Sequence, residues 1–285
     1  MSKNLITRIS VAVVAIPVIL WISYRGGAWL FGMTALLAII AMAEYLLNEK
    51  YKPSGIGFWF AMVVVALMLL SRLEQTAGWF WLQFLFSGAT GIIMFFLVSG
   101  MFFATGKRSP ADLFTAHGRL LWGVLYIGLL YPYVYLVGGM STFMTASLPP
   151  GGDWLLFLFG VLWVGDTAAM GFGRWLGRRK LAPAVSPNKT VEGFIGGILG
   201  ALAVGVLMYF WKFQSLEWYH VMALAIGCSG FGQLGDLVES MWKRSVGIKD
   251  SSAIIPGHGG VLDRFDSLLF AAPFMFFYRI LITVQ

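Results

Sequence analysis

One cysteine, Cys228, and three histidines are all the soft or imidazole ligands the chain holds. That excludes a disulfide framework and a cysteine-rich zinc site. Charge is the second scarcity. Asp, Glu, Lys and Arg make up 12% of the 285 residues, where a soluble domain carries about 25%. With 59% hydrophobic residues and a mean hydropathy of +0.79, the chain cannot be a soluble globule or a disordered polymer. The fold class left is an all-α, polytopic integral membrane protein. Acid is scarcer than base, 13 residues against 20, for a net charge of +7. Where that excess sits carries the functional information.

Nine apolar stretches approach the roughly 20 residues a transmembrane helix needs. They are Ile6–Tyr24, Trp29–Leu47, Ile56–Leu70, Trp79–Phe103, Leu120–Gly139, Trp154–Trp175, Val191–Trp211, Trp218–Val238 and Leu262–Thr283. Trp and Tyr recur at their ends, as interfacial anchors do. The first stretch lacks a small-residue cleavage site and reads as a span, not a signal peptide. With the N-terminus in the cytoplasm and the C-terminus outside, Arg25, Arg72, Lys212 and Arg279 fall outside and the other sixteen basic residues inside. This asymmetry follows the positive-inside rule and sets the expected topology. Residues 1–151 read as a scaffold half and 152–285 as the half with the chemistry, in one continuous membrane domain. The dense polar segments are 166–193 and 235–267.

The second of these begins at Gly235-Asp236. If the helix there continues to Arg244, then Asp236, Glu239, Ser240, Lys243 and Arg244 share one face. Asp263, Asp266 and Ser267 share another at the start of the last span. Carboxylates without a Cys or His cluster suit a hard cation such as Mg²⁺, which takes one or two carboxylates plus substrate phosphates. Nearby Lys and Arg would neutralise further phosphate oxygens. The turn Gly257-His258-Gly259-Gly260 lets backbone N–H groups approach an anion. Together these residues read as a metal-assisted phosphate site; the blander reading is a basic loop meeting lipid head groups.

In the first polar segment, Asp166 lies inside a span, a functional position by default. Ser186-Pro187 reads as the end of a loop and the start of a helix, with Lys189 and Thr190 placed as a phosphate seat. The following Gly193/Gly197 and Gly196/Gly200 pairs read as helix-packing faces. Gly227-Cys228-Ser229-Gly230 matches an intramembrane serine-protease pattern but reads better as a small-residue packing patch.

The run Ser240-Met-Trp-Lys243-Arg244, Lys249-Asp250-Ser-Ser, Pro256-Gly-His258-Gly259-Gly260-Val-Leu-Asp263-Arg264-Phe-Asp266 resembles the signature of phosphatidate cytidylyltransferases. Ser186-Pro187-Asn188-Lys189-Thr190-Val-Glu192-Gly193 resembles a second segment of that family, with Asn188 where relatives often have Lys. Gly235-Asp236 and Asp166-Thr-Ala-Ala resemble further landmarks. The resemblance covers about 160–283. It implies transfer of CMP from CTP to phosphatidate, giving CDP-diacylglycerol and pyrophosphate, with a divalent metal. It also implies a helical membrane fold, often a homodimer, in a bacterial inner membrane, with the active site facing the cytoplasm and no nucleic-acid partner. On this footing Asp236, Asp263 and Asp266 are expected to hold Mg²⁺, with room for a second metal ion. Lys243, Arg244 and Arg264 join Asp236, Asp263 and Asp266 as catalytic residues. Ser186, Lys189, Thr190, Ser240, Lys249, His258, Gly259 and Asp166 are expected to bind substrate. The alternatives are a transporter, which would show polarity in both halves, and a CDP-alcohol phosphotransferase, whose acidic motif is absent.

Overall fold

The computed structural model describes residues 3–72, 109–139 and 149–283. Its helices are α1 (Lys3–Arg25), α2 (Gly27–Asn48), α3 (Ile56–Leu70), α4 (Pro110–Gly123), α5 (Pro132–Gly139), α6 (Gly151–Trp175), α7 (Val191–Trp211), α8 (Trp218–Ser245) and α9 (Leu262–Thr283). A π-helical segment, Val124–Leu129, joins α4 to α5. Among the described residues, seven helical stretches are long and apolar enough to cross a membrane, and Ile56–Leu70 is a shorter apolar helix. The expected span Trp79–Phe103 lies outside the described residues. The architecture is therefore that of a helical, polytopic membrane protein.

Two local expectations are corrected. The span expected to begin at Leu120 begins at Phe114, in a helix that starts at Pro110. Ser109 Oγ accepts from the Asp112 N–H at 3.1 Å, and Pro occupies the first helical position, where a missing N–H costs nothing. That span is also not one regular helix. The backbone widens into the π segment before Pro132, which cannot donate to the preceding turn.

The second correction concerns Ser186-Pro187, which does not open a helix. Residues Lys180–Ala182 (β1) and Ser186–Thr190 (β2) form an antiparallel hairpin, and α7 starts only at Val191. Thr190 is the actual cap, its Oγ1 accepting from the Gly193 N–H at 3.1 Å. Glu192 reaches back to accept from the Arg178 and Arg179 N–H groups at 3.0 and 3.2 Å, pinning the hairpin base to the helix start.

The backbone divides into two compact units. Residues 34–132 form one of them. There α3 packs on the π segment, and Tyr45 lies so close under Gly123 that an added Cβ would sit 2.2 Å from its ring. The Tyr45 and Tyr51 hydroxyls donate to the carbonyls of Arg119 and Ala116 at 2.6 and 2.8 Å. Arg119 pairs with Glu49 at 3.2 Å.

Residues 1–33 and 133–285 form the other unit and carry every candidate site residue. Its α6 and α7 meet through small residues, as the glycine pattern predicts. A Cβ on Gly200 would lie 2.6 Å from that of Ala168, so only glycine permits this approach. Helices α8 and α9 are as close, with Gly235 against the Asp266 carbonyl. Arg279, expected on the outer side, is fully buried. Its Nη1 donates to Val137 O at 2.5 Å, and its guanidinium lies 4.3 Å from the Trp154 ring centroid. Tyr24 OH donates to Asp153 Oδ1 at 2.6 Å, and Lys212 pairs with the same oxygen at 3.5 Å.

Candidate active site

Helix α8 runs through to Ser245, so its charged residues do fall on one side. They divide into two adjacent stripes. Asp236 and Ser240 form one, with Ser240 Oγ donating to Asp236 Oδ1 at 3.2 Å. Glu239 and Lys243 form the other, paired at 2.7 Å. The stripes serve different neighbours.

The Asp236 stripe faces a cavity of about 620 Å³ walled by α6, the hairpin, α7 and α8. Lys189, on β2, places its ammonium 2.6 Å from Asp236 Oδ2. Asp166, Arg174, Asn188, Thr190 and Gln233 add to the polar lining, and Met170, Leu181 and Phe194 are apolar. Both members of the Lys189–Asp236 pair remain partly exposed, at 25% and 35%. A cavity with both apolar lining residues and a cation–carboxylate pair suits a ligand that is part lipid and part anion.

The Lys243 stripe faces the start of α9 and is sealed. Lys243 Nζ donates to Asp263 Oδ1 at 2.7 Å. Asp263 Oδ2 accepts from Ser251 N, Ser251 Oγ and Gly260 N at 2.8, 2.9 and 2.8 Å. The glycine-rich turn was expected to offer its N–H groups to an anion. The anion that its Gly260 N–H meets here is the Asp263 carboxylate. Gly259 makes the turn possible. Its φ is +87°, and a Cβ there would lie 2.8 Å from Asp263 Oδ2. Glu239 is wholly buried behind Lys243. One ammonium thus joins two buried carboxylates and holds the 246–261 loop between α8 and α9.

The other candidates are placed as follows. Asp266 lies one turn after Asp263, its Oδ1 accepting from Ser267 N at 2.6 Å. Arg244 donates to Val185 O and Ile248 O at 3.3 and 3.0 Å, tying the hairpin turn to the end of α8. Ser186 pairs in register with Ala182. His258 Nδ1 is 3.5 Å from Pro256 O, too far to fix the ring. Lys249 and Arg264 are exposed and make no ion pair among the described residues.

Two residues near the site escaped the sequence reading. Gln233 lines the cavity and donates to Phe194 O and Ser229 Oγ, both at 3.3 Å. Its signal was an amide one turn before Asp236 in an otherwise apolar run. Arg8, on α1, donates from Nε to Gly257 O at 2.8 Å, a contact 249 residues apart that no local pattern announces.

Among the described residues no three His, Cys, Asp or Glu side chains close around one point as a ready metal cage. The carboxylates present are hard oxygen donors, and Asp236 and Asp263 each already hold a cation, a lysine ammonium, at 2.6–2.7 Å. That donor set fits a cation taking one or two protein carboxylates and completing its shell with phosphate and water, the habit of Mg²⁺.

Apolar helices long enough to cross a bilayer, around a charged cavity that also has apolar lining, define a membrane protein equipped for an amphiphilic anionic ligand. The cytidylyltransferase family model matches residues 6–282. The chain is 37% identical over 269 residues to the phosphatidate cytidylyltransferase of Staphylococcus haemolyticus, an alignment covering 94% of this chain and 96% of that one. It is 38% identical over 277 residues to that of Staphylococcus saprophyticus, covering 96% and 97%. The Staphylococcus aureus protein of the same name is 37% identical over 270 residues, covering 94% and 96%. The chain belongs to the cytidylyltransferase family. These relatives lend no support to the transporter or CDP-alcohol phosphotransferase alternatives.

Proposed function

We propose that the protein transfers CMP from CTP to phosphatidate, yielding CDP-diacylglycerol and pyrophosphate at the membrane surface. The observation that carries this reading is the Lys189–Asp236 pair on the wall of a cavity whose lining is part polar and part apolar. Phosphatidate keeps its acyl chains in the bilayer and needs only its phosphate in such a cavity. Its phosphate oxygen attacks the α-phosphorus of CTP. The new P–O bond forms as the bond to pyrophosphate breaks.

Both reactants are anions, so their repulsion is the first barrier. Lys189 turns from Asp236 to a phosphate, and the exposed Arg264 and Lys249 share the triphosphate charge. Thr190, Ser186 and Ser240 set the surface around Lys189 and Asp236. Lys243 and Arg244 hold the α8 end and its loop, and His258 orients a phosphate with a hydrogen bond. Asp236 and Asp266, with Asp263 where its clamp allows, are the residues that would hold a divalent cation. Such an ion would offset phosphate charge and the charge developing on pyrophosphate. Asp166 lines the same cavity, where its carboxylate bounds the substrate's polar end. Residues 152–285 do this work and 1–151 support them, in an inner membrane with the cavity facing the cytoplasm.

The decisive experiment supplies purified protein in detergent with labelled CTP. Label should pass into a lipid-extractable product only when phosphatidate and Mg²⁺ are both added. No incorporation by folded protein would overturn the reading.

A further inference from the structure

The stretch from the last turn of α6 to the start of β1 carries more positive charge than the site uses. Arg174, Arg178, Arg179 and Lys180 all stand exposed between residues 174 and 180. Among the described residues none of them makes a salt bridge. The nearby acid, Glu192, is turned to the backbone N–H groups of Arg178 and Arg179 instead. Four cations on so short a segment repel one another until an anionic surface opposes them. Two large apolar side chains stand among them: Trp175 is 83% exposed and Leu176 45%.

The position of this face selects its partner. Helix α6 is one of the membrane-crossing helices and ends at Trp175. A Trp at the end of a span, with Arg174 before it and Arg178 and Arg179 three and four residues on, sits at head-group depth. A soluble anion would neutralise the arginines and leave Trp175 in water, whereas a head-group layer accommodates both. We propose that this face is a docking surface for anionic phospholipid head groups of the surrounding bilayer. Arg178, Arg179 and Lys180 meet the phosphates, and Trp175 and Leu176 are seated beneath them. The same hairpin continues to Lys189 on the cavity wall, and Arg174 lines that cavity as well, so lipid gathered here adjoins the cavity mouth. The surface stands independently of the reaction proposed above.

The test uses full-length protein in phosphatidylcholine vesicles with a trace of spin-labelled phosphatidylglycerol or spin-labelled phosphatidylcholine. Electron paramagnetic resonance gives the protein's preference for the anionic lipid. The triple variant Arg178→Gln, Arg179→Gln, Lys180→Gln should lower that preference by about twofold or more. Each basic residue near an anionic surface contributes roughly a fivefold bias, and the measurement averages over the whole lipid shell. The charge-preserving variant Arg178→Lys, Arg179→Lys, Lys180→Arg should keep the preference. Raising salt to about 0.5 M should bring the unmodified protein toward the triple variant. The proposal is overturned if the triple variant matches the unmodified protein. It is equally overturned if Lys50→Gln, Lys52→Gln lowers the preference as much, or if millimolar inorganic phosphate abolishes it at constant ionic strength. Turnover measured alongside separates the two readings: a preserved lipid effect with no CTP incorporation would refute the reaction and leave the surface standing.

Discussion

Asp263 can be altered in two ways that the structure predicts will differ. Its Oδ2 accepts three hydrogen bonds from the 251–260 loop and its Oδ1 takes the Lys243 ammonium. Asp263→Asn keeps an oxygen for the loop donors and removes the charge. Lys243 is not orphaned, because Glu239 remains at 2.7 Å. The stability loss should therefore fall below the 3–5 kcal/mol typical of a broken buried pair, at about 1–2 kcal/mol. Asp263→Ala removes the acceptor as well. It leaves two buried N–H groups without their partner, each worth about 1–3 kcal/mol, for a further loss of about 2–6 kcal/mol. For a chain of this size that is roughly 5–15 °C of additional lowering in thermal midpoint. If Asp263 also supports the reaction through its charge, both variants should lose turnover by about 10²-fold or more. Tryptophan-fluorescence melting in detergent and CTP incorporation measure the two effects separately. Equal midpoints for the two variants would refute the clamp, and near-normal turnover in Asp263→Asn would refute the role of the charge.

Lys189→Met should barely move the thermal midpoint, since a half-exposed pair contributes about 1 kcal/mol or less. It should raise the apparent KM for a substrate phosphate at least tenfold, read in initial-rate titrations of CTP and phosphatidate. Gly259→Ala should destabilise by about 1–2 kcal/mol, because a side chain at φ +87° is strained and its Cβ meets the Asp263 carboxylate; a melt indistinguishable from the parent's would contradict this. Thr190→Val removes the cap of α7 and should cost about 1 kcal/mol, while Thr190→Ser should restore most of it in the same melting assay.

The parts of this fold that could be read from the sequence are those governed by local periodicity. The polar residues at 236, 239, 240, 243 and 244 share a face if the helix runs past the apolar stretch, and α8 does so. The small residues of α7 announced a close helix partner, and α6 is that partner. The hairpin was hidden because Ser186-Pro187 imitates a helix start, while the actual cap, Thr190, lacks a Glu three residues on. Glu192 falls one position early and caps the hairpin base instead. The Asp263 clamp was hidden for a different reason. Ser251 and Gly260 come to one carboxylate through the path of a loop, and no spacing rule encodes that path. The partners of Arg279 were hidden as well, because Val137 and Trp154 are distant from it in sequence.

The two lysine–carboxylate pairs are alike in distance and opposite in what they permit. An incoming phosphate must compete with a carboxylate for the lysine. At Lys189 the competition is milder, because a single carboxylate holds the ammonium and both side chains are partly exposed. At Lys243 the ammonium is buried between two carboxylates, and withdrawing it would strand both, a loss of several kcal/mol. On the proposed reading, then, Lys189 is the residue that changes partner when substrate arrives, leaving Asp236 open to a cation that comes with the triphosphate. Lys243 stays in place and keeps α8, the glycine-rich turn and α9 in register around it. A family signature read as a row of similar charges therefore contains two kinds of residue: those that hold the site's shape, and those free enough to bind.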